Sequence, residues 1–249
     1  MPLQLPPKEV HLWYTRLEHV GSSCLLEKYR RWMTPDERAR YDRFRSPSAQ
    51  RGFLVTRGLV RAVLSRYQET EPEAWKFRMG LFGKPEIEAP HIGAGLRFNL
   101  SNADGLVACA VAIDRDIGVD VEAIDRPLRG LAIADRFFSP LEITALRSLP
   151  REQQREAFFE YWTLKESYIK ARGLGLSIAL DKFSFTLRRG APATIAIDPV
   201  LEDDPARWRF LQLRPTNRHM IAVAVSETLS AASGLPSSPL DLVVRSVVP

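Results

Sequence analysis

Three acidic residues stand out for the chemistry they could do together. The segment Gly118-Val119-Asp120-Val121-Glu122 alternates apolar and acidic positions after its glycine. On a strand, Asp120 and Glu122 point to one side and Val119 and Val121 to the other. Two carboxylates so placed are roughly 7 Å apart and repel each other. A hard divalent cation relieves that repulsion, and Mg²⁺ is usually held by one or two carboxylates together with substrate phosphates. The third acid, Glu166, lies in Trp162-Thr163-Leu164-Lys165-Glu166-Ser167-Tyr168-Ile169-Lys170. At about 100° per residue it shares a helical arc with Phe158, Phe159, Trp162 and Ile169, with Lys165 at the edge of that arc and Lys170 one turn beyond. A carboxylate facing inward is costly unless it is paired or binds a metal. Each piece also has a plain reading: an exposed acidic strand face, and a Glu166–Lys170 surface pair worth a few tenths of a kcal/mol. Only the combination of all three acids points to a metal.

Other candidate motifs are thinner. Gly80 to Lys84 has some look of a phosphate loop, but the spacing is too short and Pro85 forbids the helix that should follow. Lys84 on a turn can still meet a phosphate as a point charge. Gly93-Ala94-Gly95 does not make a dinucleotide fingerprint. In Phe98-Asn99-Leu100-Ser101-Asn102-Ala103-Asp104-Gly105, the polar residues lead into a turn. Short side chains and free backbone N–H groups there can hold an anion or simply make the turn. The histidines, His11, His19, His91 and His219, show no ligand spacing, which argues against zinc. No Gly-x-Ser-x-Gly elbow supports a covalent serine mechanism.

The elements that must position these residues follow from periodicity and punctuation. Residues 10–17 alternate as a strand. Residues 30–67 are helical and basic, with Thr34-Pro35-Asp36-Glu37 marking a start and Ser46-Pro47-Ser48 a break. The second helix, 49–67, carries Arg51, Arg57, Arg61 and Arg66 among apolar residues. Residues 75–87 read as strand, turn and strand around Gly83-Lys84-Pro85. Strands are expected at 96–100, 106–113 and 117–121, with a turn over 102–105. The second half offers helices at 131–136, 140–149 and 151–172, then strands near 183–187, 194–197, 208–213 and 219–225. Helical runs followed by hairpins, twice over, indicate an α+β fold in two similar halves. The expected division is 1–115, 116–227 and a tail, 228–249, in which residues 240–248 can pack as a stray strand.

Bulk numbers bound the class. The chain has 249 residues with 45% apolar content, enough for one large domain or two small ones with real cores. Its net charge of +5 favours anionic partners. Cys24 and Cys109 form no disulfide framework, and Cys109 sits in an apolar run. The N-terminal residues have no apolar signal core, and no run approaches the roughly 20 residues of a membrane span. A reducing cytoplasm is the simplest address.

Taken in order, the pieces resemble the Sfp-type 4′-phosphopantetheinyl transferases. A basic helix with Arg51 and Arg57 is followed by Arg78 and Gly83-Lys84-Pro85. Then come FNLSNADGLVACAVA, GVDVE, FFSPLE and FEYWTLKESYIKARGLGLS. The resemblance covers residues 38–185, and GVDVE followed by W-x-x-KES-x-x-K is its most specific part. It implies transfer of the phosphopantetheine arm of coenzyme A to a serine of an apo acyl or peptidyl carrier protein, with release of 3′,5′-ADP. It also implies a fold of two similar α/β halves related by a pseudo-twofold, with coenzyme A in the cleft between them. By position, Asp120, Glu122 and Glu166 match the Mg²⁺ ligands, and Glu166 the general base for the acceptor serine. Lys170 matches the lysine that meets the phosphates, with Lys165 beside the same site. Arg51, Arg78 and Lys84 match the region holding the 3′-phosphate and adenine, and Arg57 is added to it. Ser101 and Asn102 fall in the family's Asn-Leu-Ser-His turn, where Asn102 replaces the histidine and so cannot become cationic. The basic surface suits an acidic carrier protein, and a monomer without nucleic-acid or membrane partners is expected. Two rival readings are a Mg²⁺-dependent hydrolase of nucleotide diphosphates and a nucleic-acid-binding module built on residues 30–66.

Overall fold

A computed structural model describes residues 1–90, 95–127, 132–227 and 240–248. His91, Gly93 and Ala94, the expected helix start at Leu131, and most of the expected tail, residues 228–239 and Pro249, lie outside the described residues. The chain divides into two compact units, Met1–Asp114 with Leu240–Pro249, and Arg115–Pro239.

The first unit runs through β1 (Glu9–Arg16), α1 (Ser23–Trp32), α2 (Pro35–Asp42) and α3 (Pro47–Leu64). It continues with β2 (Lys76–Met79), β3 (Pro85–Ala89), β4 (Leu96–Ala103) and β5 (Leu106–Ile113). Local sequence explains the breaks. Thr34 and Glu37 form a reciprocal capping box at the start of α2. Ser46 caps α3 through the Ala49 N–H, and Pro47 takes the first helical position, where a missing N–H costs nothing. The helix α1 starts earlier than the sequence suggested, because Ser22 caps it at the Leu25 N–H. The main sheet has β5 between β1 and β4, all antiparallel. The Asp241–Ser246 strand lies parallel to the other edge of β1, pairing Val10 with Leu242 and Leu12 with Val244. The core sets Leu54, Leu59, Val60 and Val63 of α3 against Val107, Cys109 and Val111 of β5.

The second unit holds β6 (Ile117–Ala123), α4 (Ala132–Phe137), α5 (Pro140–Ser148) and α6 (Arg151–Arg172). Then follow β7 (Phe183–Arg188), β8 (Ala191–Ile197), β9 (Trp208–Leu213) and β10 (His219–Ser226), with the Asp241–Ser246 strand completing the order as β11. An antiparallel sheet of order β6-β10-β9 carries α6, and β7 and β8 form a separate hairpin. The 22-residue α6 ends at Gly173, whose φ of 67° and N–H to the Ile169 carbonyl make a left-handed cap. Phe158, Phe159, Leu164, Tyr168 and Ile169 of α6 share one apolar cluster with Met220, Ala222 and Ala224 of β10. Each unit is thus mixed α and β, with a long helix packed on a sheet that is antiparallel apart from the parallel edge strand of the first unit.

Most expected elements appear within a residue or two of their places. The turn after β4 is an exception: the strand runs on to Ala103, so the turn is Asp104-Gly105, with Gly105 at φ 90°. Asn102 therefore sits on the strand opposite Val107.

Candidate active site

Strand β6 brings two of the three acids to α6. Its register sets Asp120 beside Ala222 and Glu122 beside Met220, both of which belong to the apolar cluster under α6. Side chains that are neighbours across a ladder share a face, so Asp120 and Glu122 project on the α6 side, as alternation predicts. Gly118, two residues before Asp120, lets the strand come close. A Cβ there would lie 2.0 Å from the Ser167 carbonyl oxygen and 2.4 Å from the Ala171 nitrogen.

The approach puts Lys170 Nζ 2.6 Å from Asp120 Oδ1. Asp120 is buried and Lys170 is half-buried. The i,i+4 pair between Glu166 and Lys170 gives way to this tertiary contact, although Lys170 still acts on Glu166 through its charge. Burial raises the Glu166 carboxyl above its ordinary value, and the negative charges of Asp120 and Glu122 raise it further against Lys170. Glu122 is raised for the same reasons, burial first and then Asp120, and Arg126 opposes the shift. The Arg126 guanidinium forks onto Glu122 at 2.7 and 3.2 Å, and the nearby Trp162 side chain also holds the Glu122 carboxyl down against that rise. Glu122 and Glu166, both raised by burial and by the charge of Asp120 between them, form with it a site short of positive charge.

As a donor set these are hard carboxylate oxygens, the type that Mg²⁺ takes. Among the described residues no three side chains of ligand type close around one point. Lys170 and Arg126 occupy part of the position, electrically, that a cation would fill. A bound ion would therefore take over charges that these side chains now balance.

Lys165 is placed elsewhere. Its Nζ is fully buried, 2.8 Å from Glu142 Oε2, and donates to the carbonyls of Leu180 and Phe183 at 2.7 and 2.9 Å. Burial lowers its pKa and Glu142 opposes that. Glu142 in turn accepts from the Ser139 and Phe185 N–H groups. Lys165 thus ties α6 to α5 and the start of β7, and the acids do not meet it. On the helical wheel it sat at the edge of the inward arc, and only the packing shows how far inside it lies.

The remaining candidates belong to the first unit. Arg51 donates to the carbonyls of Leu17 and Val20 at 3.1 and 2.6 Å. Arg57 lies 3.7 Å from Glu37 and over the Phe53 ring, with its pKa lowered by burial. Arg78 is exposed on the β2–β3 hairpin and pairs with Glu86 at 2.9 Å, and Lys84 is half-buried at the turn of that hairpin. Ser101 is buried, while Asn102 is exposed with its amide nitrogen beside Gly52 of α3. The structure therefore brings Asn102 next to the residue after Arg51 and spreads Arg57, Arg78 and Lys84 over separate contacts.

Sequence reasoning missed Arg126 and the roles of Glu142 and Trp162. Arg126 follows Glu122 by four residues, but it lies past the strand end, where no periodicity applies. Glu142 stood in a recognisable helix-capping pattern, Ser139-x-x-Glu142, that hides its second job as the partner of Lys165.

Residues 116–224, which hold all three acids, match the family described as the 4′-phosphopantetheinyl transferase superfamily. The 4′-phosphopantetheinyl transferase HetI of Nostoc sp. is 39% identical over 225 residues, covering 90% of this chain and 90% of that protein. The 4′-phosphopantetheinyl transferase Sfp of Bacillus subtilis is 33% identical over 171 residues, 69% of this chain and 74% of that protein. A phosphopantetheinyl transferase of Thraustochytrium sp. is 26% identical over 248 residues, covering 93% of this chain and 83% of that protein. With identity of this extent along nearly the whole length, the chain belongs to the Sfp-type 4′-phosphopantetheinyl transferase family.

Proposed function

We propose that Asp120, Glu122, Glu166 and Lys170 form the reacting centre of this transferase. The enzyme moves the 4′-phosphopantetheine arm of coenzyme A onto a carrier-protein serine and releases 3′,5′-ADP. The observation that carries the assignment is the close approach of β6 to α6 at Gly118, which sets Lys170 Nζ 2.6 Å from Asp120 beside the buried carboxyls of Glu122 and Glu166, both raised.

The serine oxygen attacks the phosphorus that bears the pantetheine arm. A P–O bond to that arm's phosphate forms, and the diphosphate bond to 3′,5′-ADP breaks. A serine hydroxyl is a weak nucleophile, and Glu166 takes its proton as the bond forms. A carboxylate held at a raised pKa is a better base than an ordinary one, which suits Glu166 to that role. Lys170 leaves Asp120 for the diphosphate and neutralises charge on its oxygens. Asp120, Glu122 and Glu166 would hold a Mg²⁺, which supplies positive charge to the diphosphate when bound. Arg51, Arg57, Arg78, Lys84, Ser101 and Asn102 are assigned to the nucleotide end of coenzyme A. Asn102 offers a hydrogen bond there without a charge.

The carrier is read as acidic, since a net charge of +5 speeds encounter with an anionic partner. Among the described residues no helix is long and apolar enough to cross a membrane. A reducing cytoplasm suits the free thiols of Cys24 and Cys109, and a monomer is the working state proposed.

Mass spectrometry of an apo carrier protein incubated with the enzyme, coenzyme A and Mg²⁺ tests the reading. The expected gain is about 340 Da on the carrier serine, absent with Glu166→Ala and with EDTA. Coenzyme A cleaved without a gain on any carrier would mark a hydrolase instead.

A further inference from the structure

The last turn of α6 carries Lys170, and helix ends are where a helix opens most cheaply. This turn is held from its far side by one buried carboxylate. The Oδ2 of Asp203 accepts from the Tyr168 hydroxyl at 2.7 Å, from Arg172 Nη1 at 2.7 Å and from the Trp208 indole N–H at 2.8 Å. Its Oδ1 accepts from the Asp204 N–H at 3.0 Å. The Asp203 side chain is only 4% exposed. Arg172 reaches on to the Leu201 carbonyl at 3.3 Å. Residues 201–208 are thereby fastened to the final turns of the helix.

The geometry of the helix separates this anchor from the reacting face. At about 100° per residue, Lys165, Tyr168 and Arg172 fall within an arc of about 60°. Glu166 and Lys170 fall about 150° away from the middle of that arc. Asp203 touches no group assigned to the reaction. It holds the opposite stripe, so it fixes the rotation of α6 and keeps the turn with Lys170 wound. The Lys165–Glu142 pair holds the same stripe one turn earlier.

We propose that Asp203 is a positioning residue of this transferase: by gathering Tyr168, Arg172 and Trp208 it sets where Lys170 and Glu166 stand. The inference rests on the reading of Lys170 and Glu166 given above. Three charged groups face Asp203 or its immediate partners: Arg172 at 2.7 Å, Arg207 at 3.9 Å and, beside Arg207, Asp116. The Asp203 charge is therefore compensated locally, and its loss should be felt through geometry.

A double-mutant cycle separates positioning from general destabilisation. Asp203→Asn, Lys170→Met and the double variant are compared with the full-length enzyme. The readings are coenzyme A affinity by calorimetry and kcat/KM for coenzyme A with an apo carrier. Asp203→Asn is expected to lower both about ten-fold while the KM for the carrier stays the same. In the Lys170→Met background the same substitution should cost less than about two-fold, because the group it positions is gone. Should Asp203→Asn fail to fold, Arg172→Gln takes its place, since it loosens the same turn and leaves the Tyr168 and Trp208 bonds. Equal losses in both backgrounds, or no loss in the parent, overturn the proposal while a crippled Lys170→Met leaves the site reading standing. A Lys170→Met enzyme with parental affinity and rate overturns the site reading, and the inference falls with it.

Discussion

Lys170 on α6 and Asp120 on β6 meet at 2.6 Å across 50 residues of sequence. The contact joins the two elements that carry the acids, and it leaves a cation beside the carboxylates before any substrate arrives. Replacing Lys170 with Met should lower transfer by about a hundred-fold, as loss of a charge-stabilising group commonly does. It should also cost about 2 kcal/mol of stability, the range for a hydrogen bond to a charged group. Steady-state kinetics and urea unfolding of the same preparation check both.

Glu166 provides a pH test on metal-free protein. Its folded pKa lies above the ordinary 4.5, from burial first and then Asp120. The folded state therefore binds its proton more tightly than the unfolded chain does. Ionising Glu166 thus costs stability: the cost is absent below the unfolded value and fully present once pH exceeds the raised folded value. Glu166→Gln, uncharged throughout, should melt about 2–4 °C higher than the parent at neutral pH in EDTA, a gain of roughly 1 kcal/mol. That gain should vanish near pH 4. Mg²⁺ with coenzyme A should then stabilise the parent more than the variant. A variant that melts lower at neutral pH would contradict the electrostatic account.

Lys165 and Glu142 should behave as a structural pair. Both side chains are fully buried. Lys165→Met alone leaves Glu142 charged in an apolar surround and should cost about 3–5 kcal/mol. Pairing it with Glu142→Gln should recover part of that loss, since the new side-chain amide is uncharged and keeps one acceptor oxygen for either the Ser139 or the Phe185 N–H, which now bond to separate oxygens. Folded Lys165→Met/Glu142→Gln should keep the parental KM for coenzyme A. A raised KM in the folded double variant would return Lys165 to the phosphate site.

Gly118→Ala probes the approach of β6 to α6. The added methyl would sit 2.0 Å from the Ser167 carbonyl and 2.4 Å from the Ala171 nitrogen, both backbone atoms that cannot swing away. Overpacking of this kind costs about 1–3 kcal/mol. Pushing α6 from the strand also parts Lys170 from Asp120, so activity should fall by more than about ten-fold, as misplacement near the reacting groups does. Thermal melting and transfer rate, measured together, separate the two effects.

Much of this protein is legible along the chain because its signals are local. Capping residues such as Thr34 and Ser139, the apolar period of α6 and the alternation in β6 need only neighbours a few residues away. They place the strands and long helices, the α+β class, and the side of β6 on which Asp120 and Glu122 project. Where local signals compete, the reading slips: Ser22 starts α1 well before the basic run, and β4 carries Asn102 past the apparent turn. The sequence by itself determined which acids share a strand face, and it put Glu166 on the inward arc of its helix. Only the tertiary structure decided which cation each acid would meet. Lys165 and Lys170 are both within four residues of Glu166, and nothing local distinguishes their partners. The distinction comes from residues far away in the chain: Glu142 and two carbonyls claim Lys165, Asp120 claims Lys170, and Asp203 fixes the rotation of the helix between them. Long-range electrostatic pairing depends on which surfaces pack, and packing is settled by the whole fold.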